Sequence, residues 1–276
     1  MFNSIQVFIL GFIQGVSELF PISSLGHLVL IPNVLHWGIN ESGSIFLAFA
    51  VFLHLGTAIA LLLFFYKDWV RIIKKLFSSF MSGKFSDDSE EHLGWLIIVG
   101  SIPVGIIGLL LEKQVGNIFK SPYVAALFLV INGIILYVAD IYRKLEKNKK
   151  DMVKFSLKDV VFVGFAQSFA LIPGISRSGI SMAACLALGL NYEDSAKLSF
   201  MLATPLIFAA ALLESRKLIM YPTLTPEFLF GGIVAGIAAY FSTKFLMKYF
   251  ENGKLLPFAY YSVIIGIVFT ILLKFF

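Results

Sequence analysis

Charge is what this sequence has least of. Only 14% of its 276 residues are Asp, Glu, Lys or Arg, against 58% hydrophobic. A soluble globular domain carries roughly 25% charged residues, so water cannot cover this surface and lipid must. A single cysteine, Cys185, excludes an intrachain disulfide. The N-terminus, MFNSIQVFIL, lacks a basic leader and a small-residue cleavage signal, and reads as mature chain rather than a signal peptide. Basic residues exceed acidic ones by five, but they lie between apolar runs, where they set membrane topology; nucleic acid is not an expected partner.

What is present is long apolar sequence, with a mean hydropathy of +0.88. About 20 apolar residues cross the hydrocarbon core as a helix, with every backbone polar group satisfied inside the segment. Six full spans are expected: Ile45–Tyr66, Leu93–Leu111, Pro122–Tyr142, Ala196–Leu213, Phe228–Tyr249 and Phe258–Leu273. Two further apolar stretches, Ile5–Trp37 and Val160–Leu190, are interrupted midway by PISSLGH (Pro21–His27) and PGISRSG (Pro173–Gly179). Each half is too short to cross, so each stretch reads as a re-entrant helix–loop–helix hairpin. The expected class is an all-α polytopic membrane protein, one membrane domain over 1–276.

The loops 67–92, 143–159 and 250–257 then fall on one side and carry most of the basic residues, among them Arg71, Lys74, Lys75, Lys147, Lys149, Lys150 and Lys254. The positive-inside rule makes that side cytoplasmic and puts both termini outside. A gapless shift of 153 residues pairs GFIQ (Gly11–Gln14) with GFAQ (Gly164–Gln167), and Ile22, Ser23 and Gly26 with Ile175, Ser176 and Gly179. Three spans separate the copies, so the second enters from the opposite face. This is the pattern of an inverted-topology repeat with halves 1–150 and 151–276, its loop tips meeting near the midplane.

Ionisable residues at membrane depth are costly and face a partner or a wet cavity. Here they are Glu18, His27, His54 and Arg177. His54 has no polar cluster beside it in sequence and reads as packing. The other three converge, if the tips meet, with Ser23, Ser24, Ser176 and Ser178. Arg matches phosphate oxygens with a planar fork, and Gly174 and Gly179 let backbone N–H groups approach an anion. His27 can act as acid, base or nucleophile. Gln14 lies one turn before Glu18, and an amide oxygen with a carboxylate suits a hard divalent cation, Mg²⁺ or Ca²⁺. The blander alternatives are a Glu18–Arg177 pair that only ties two hairpins together, and serines that only cap backbone groups. The acidic run Asp87–Glu91 reads as a solvated loop.

The motifs QGVSELFPISSLGH (Gln14–His27) and Pro173–Gly179 resemble those of the undecaprenyl-pyrophosphate phosphatase family, whose members confer bacitracin resistance. The resemblance implies hydrolysis of a polyprenyl pyrophosphate to the monophosphate at a site open to the outer face of the plasma membrane, recycling a lipid carrier for cell-wall synthesis. It implies Glu18 and Gln14 as metal or water ligands, Ser24 and His27 as nucleophile and acid/base in an order left open, and Arg177, Ser176 and Ser181 at the phosphates. Three positions depart from the common pattern: Gln14 where Glu is frequent, Ser181 where Thr is frequent, and Ser262 where many members carry Arg. A second copy of the chain, as a homodimer, is an expected partner. The competing class is a transporter or flippase of a polyprenyl phosphate built on the same inverted repeat. An acid-phosphatase-like lipid phosphatase ranks low, because no His follows Arg177 within ten residues.

Overall fold

The computed structural model describes residues 3–39, 43–82, 88–118, 121–145, 150–220 and 226–275. Lys84, Asp87, Lys120, Lys147 and Lys149 lie outside them. The described chain is all helical: α1 (Ser4–Ser17), α2 (Ser24–Val34), α3 (Ser44–Phe64), α4 (Tyr66–Ser82), α5 (Ser89–Ile118), α6 (Pro122–Leu145), α7 (Leu157–Gln167), α8 (Arg177–Ala187), α9 (Tyr192–Met220), α10 (Pro226–Phe250) and α11 (Leu256–Phe275). Five helical segments among the described residues are long and apolar enough to cross a membrane: Ile45–Phe64, Ser89–Leu111, Pro122–Leu145, Pro226–Phe250 and Leu256–Phe275. The protein is therefore a polytopic membrane protein. The expected span Ala196–Leu213 is one continuous helix within α9 but is not among the five. The sequence YEDSAKLS opens α9 with charge, and Ser195, Ser199 and Thr204 are buried along it, so it packs in the protein core rather than against lipid.

Both interrupted stretches are helix–break–helix units, α1–α2 and α7–α8. The second returns to the end it came from, because Lys150 holds both of its ends. Its Nζ donates to Asp159 Oδ2 at 2.8 Å, and its backbone N–H to Gly189 O at 2.9 Å. The same end gathers the basic segments. Lys197 pairs with Asp68 at 2.8 Å, and buried Asp140 Oδ1 accepts from Tyr192 OH and Leu255 N–H, each at 2.9 Å. At the opposite end Val7 of α1 shares a core cluster with Phe46 and Phe228, which open α3 and α10, and with Trp37 after α2. Helices α1 and α7 thus enter from opposite ends.

Packing follows a repeating scheme: α1 lies on α10 as α7 lies on α5, α2 touches α11 as α8 touches α6, and α3 meets α9 while α6 meets α11. Two glycines make the first pair of contacts possible. A Cβ on Gly11 would fall 2.8 Å from Gly231 O, and one on Gly164 would collide with Gly100 O. Small residues at such crossings let backbones approach in a membrane, where packing drives helix association.

Two segments differ from their sequence reading. Residues 67–82, expected as loop, belong to α4, which begins at Tyr66. Its apolar face (Val70, Ile73, Phe77 and Phe80) is exposed, while Ile72 is buried toward α5. Apolar residues spaced three and four apart make such a helix lie along an interface. The acidic run is also not wholly solvated. Asp88 Oδ1 accepts from Glu90 N–H at 3.0 Å, and buried Glu91 accepts from Ser79 Oγ at 2.6 Å.

Candidate active site

The two breaks present their residues through matching caps. Ser23 Oγ accepts from Gly26 N–H at 3.2 Å to open α2, and Ser176 Oγ accepts from Gly179 N–H at 3.1 Å to open α8. These are the pairs the 153-residue shift aligns. The tips interlock: Ser23 Oγ donates to Ile175 O at 3.3 Å, and a Cβ on Gly26 would fall 3.2 Å from Gly174 Cα. Asn132 of α6 clamps both loops. Its Nδ2 donates to Pro21 O at 3.0 Å and to Ser262 Oγ at 3.2 Å, and its Oδ1 accepts from Ser176 N–H at 2.9 Å.

With the tips joined, Glu18 becomes the hub. Its Oε1 accepts from Arg177 Nη2 at 2.9 Å, bridging the two breaks. Its Oε2 accepts from Ser24 Oγ and, at 3.1 Å, from Gln14 Nε2. His54 Nε2 of α3 lies 3.4 Å from the same oxygen, while its Nδ1–H donates to Ala50 O at 2.7 Å. Glu18 is buried at 7% exposure, and a carboxylate removed from water needs this many partners. Arg177 remains part-exposed and lies within 3.5 Å of Ser199 O.

The structure thus brings together Gln14, Glu18, Ser24 and Arg177, and adds His54, which the sequence reading assigned to packing. His27 points elsewhere. Its Nδ1 lies 2.8 Å from Ser23 O, a pure acceptor, so Nδ1 carries the proton; Tyr261 OH, 3.0 Å away, then donates to Nε2. The remaining serines serve the scaffold: Ser176 and Ser178 hydroxyls are 3.0 Å apart, Ser178 Oγ donates to Phe20 O at 3.3 Å, and Ser181 Oγ donates to Arg177 O at 2.7 Å. Gly174, at φ +100°, turns the second loop where a side chain would be strained.

Gln14 Oε1 is buried and has no hydrogen-bond partner among the described residues. A free amide oxygen next to a carboxylate fits a hard divalent cation. No group of three or more His, Cys, Asp or Glu that could hold a metal occurs among those residues. Beside the site an apolar groove runs between α1 and α10, lined by Phe8, Phe12, Val16 and Phe20, the last within the same break as Glu18.

The description "Bacitracin resistance protein BacA" matches residues 7–268, nearly the whole chain. The chain belongs to the BacA family. Curated relatives agree with that membership. Undecaprenyl-diphosphatase 2 of Chromobacterium violaceum is 44% identical over 272 residues, covering 96% of this chain and 97% of that protein. Undecaprenyl-diphosphatase 1 of Burkholderia pseudomallei (strain 1106a) is 44% identical over 259 residues, covering 94% and 92%. For a BacA-family chain, the residues the sequence missed are Asn132, Tyr261 and His54. Asn132 carried a usable signal, since an amide inside an apolar span needs a partner as a charge does.

Proposed function

We propose that this chain is an undecaprenyl-diphosphatase, which removes the terminal phosphate of undecaprenyl pyrophosphate and leaves the lipid monophosphate. The observation that carries the reading is the shared carboxylate: the Ser24 hydroxyl donates to Glu18 while Arg177 holds its other oxygen at 2.9 Å. A nucleophile, a group to take its proton and a phosphate-binding cation meet there from both breaks. The names and extent of the curated relatives point the same way.

In the first step Ser24 Oγ attacks the terminal phosphorus and its proton passes to Glu18. The bond from that phosphorus to the bridging oxygen breaks, and the lipid monophosphate leaves with the electron pair. Arg177 turns its fork from Glu18 to the phosphate oxygens, whose charge peaks in the transition state. Glu18 hands the serine's proton to the departing lipid monophosphate; water then attacks the phosphoserine, its proton passes through Glu18 to the leaving serine oxygen, inorganic phosphate departs and the serine hydroxyl is restored. Gln14 and Glu18 are the residues that would hold a divalent cation, Mg²⁺ or Ca²⁺, whose charge neutralises the pyrophosphate when bound. The prenyl chain follows the groove of Phe8, Phe12 and Phe20.

The surrounding architecture in this reading is one domain, with α9 as a sixth span beside two re-entrant hairpins. At about 1.5 Å per residue α9 is long enough to cross. The repeating packing scheme and the opposite entry of α1 and α7 support an inverted repeat with halves 1–150 and 151–276. The basic end is cytoplasmic, and the termini and site open to the outer face of the plasma membrane. That same two-fold scheme favours a second reading, a carrier moving lipid monophosphate between leaflets. Purified protein given undecaprenyl pyrophosphate decides between them: phosphate release that is lost in Arg177→Ala supports the enzyme. No release under any divalent-cation condition, with lipid transfer in proteoliposomes, overturns it.

A further inference from the structure

Gln167, the last residue of α7, is fully buried, and neither its amide oxygen nor its amide nitrogen has a hydrogen-bond partner among the described residues. Burying a primary amide with both ends unsatisfied is rare in a folded protein and calls for an explanation. Its counterpart under the 153-residue shift is Gln14, whose oxygen is likewise buried and unpartnered. The same shift makes Ser24 and Arg177 counterparts, and both bond the single carboxylate of Glu18. Two counterpart groups that reach one carboxylate face each other across the axis relating the halves, so that carboxylate lies close to the axis. Gln14 Nε2 is 3.1 Å from it, and the two-fold scheme gives Gln167 the matching position in the second half.

We propose that Gln167 forms the second wall of the pyrophosphate site, its amide N–H groups donating to a phosphate oxygen of the lipid pyrophosphate. The proposal rests on the diphosphatase reading and the repeat that frames it. It explains why the position keeps a side chain with two donors and an acceptor although the described protein meets none of them. The counterpart of Glu18 is Leu171, so this half contributes neutral donors without a second carboxylate to repel the anion.

The test uses the full-length protein in detergent with three readouts: melting temperature, binding of a prenyl methylenebisphosphonate that cannot be cleaved, and phosphate release. Gln167→Leu keeps the bulk and deletes the unsatisfied amide. The expected result is an unchanged or higher Tm, bisphosphonate affinity and kcat/KM each weaker by about tenfold, and intermediate values for Gln167→Asn. A lower Tm for Gln167→Leu overturns the proposal, because the amide then serves the fold. Affinity within about twofold of wild type overturns it too, since one lost hydrogen bond to a charged group costs more. If the wild type releases no phosphate, the diphosphatase reading fails by itself, and bisphosphonate binding still decides the role of Gln167.

Discussion

At the first break Ser23 caps α2 through Gly26 N–H, and at the second Ser176 caps α8 through Gly179 N–H, yet the two loops reach these caps along different backbones. The first has Ser23 itself at φ +68°, a strained position for a residue with a Cβ; the second turns at Gly174, and Ser176 sits at an ordinary φ of −82°. Helix α1 runs as α-helix to Ser17, whereas α7 stops at Gln167 and tightens into a 3₁₀ turn over Ser168–Leu171. The side chains differ as well: Glu18 has Leu171 as counterpart, and Ser24 has Arg177. The duplicated serine caps carry the frame, and the charged groups, Glu18 and Arg177, lie where the copies diverge. Strain at Ser23, of order 1–3 kcal/mol, is stored next to the Ser24 hydroxyl that Glu18 engages.

The largest effect should come from removing the divergent charges. Arg177→Ala is expected to lower kcat/KM for phosphate release by about 10³-fold, and Glu18→Gln by about 10²-fold or more, measured in detergent with undecaprenyl pyrophosphate. Restoring symmetry should fail: Leu171→Glu adds an unpaired intramembrane carboxylate and is expected to cost about 3 kcal/mol, read as lost folded yield and a lower Tm. The shared frame can be probed by Gly11→Ala and Gly164→Ala. Each forces α1 off α10 or α7 off α5 by a methyl group, for about 1–3 kcal/mol, with Gly164→Ala the worse because its approach to Gly100 O is closer. Equal tolerance of both would remove the close approach from the account. The smallest effect on turnover belongs to Tyr261→Phe, which deletes one hydrogen bond to His27, off the Ser24–Glu18–Arg177 unit: kcat/KM is expected to stay within about threefold while stability falls by about 1 kcal/mol, read as a lower Tm.

Much of this arrangement is legible in the sequence because charge is scarce in an apolar chain. Glu18 and Arg177 stand out for that reason, and the structure pairs them. The helix–break–helix units were readable from Pro, Gly and Ser placed midway in apolar runs. His54 was not, because nothing beside it in α3 is polar and its partner lies 36 positions earlier, across a contact only packing creates. His27 follows Ser24 by about one turn of α2, yet its ring is held by Ser23 O and by Tyr261 from α11 rather than by Glu18. The helix α4 was hidden by its charges, although Val70, Ile73, Phe77 and Phe80 already kept a helical spacing. Helix α9 falls short as an apolar span because it is buried among other helices, where Ser199 Oγ donates to Ser178 O of α8.

The central claim is that Ser24 and Arg177, one from each break, act on a single carboxylate as one unit. A double-mutant cycle on kcat/KM with Ser24→Ala, Arg177→Ala and the combined variant tests it directly. Groups that work as a unit are strongly non-additive. The account predicts that the double variant is no more than a fewfold worse than the poorer single variant. Losses that multiply independently would contradict it, because the two breaks would then contribute separately.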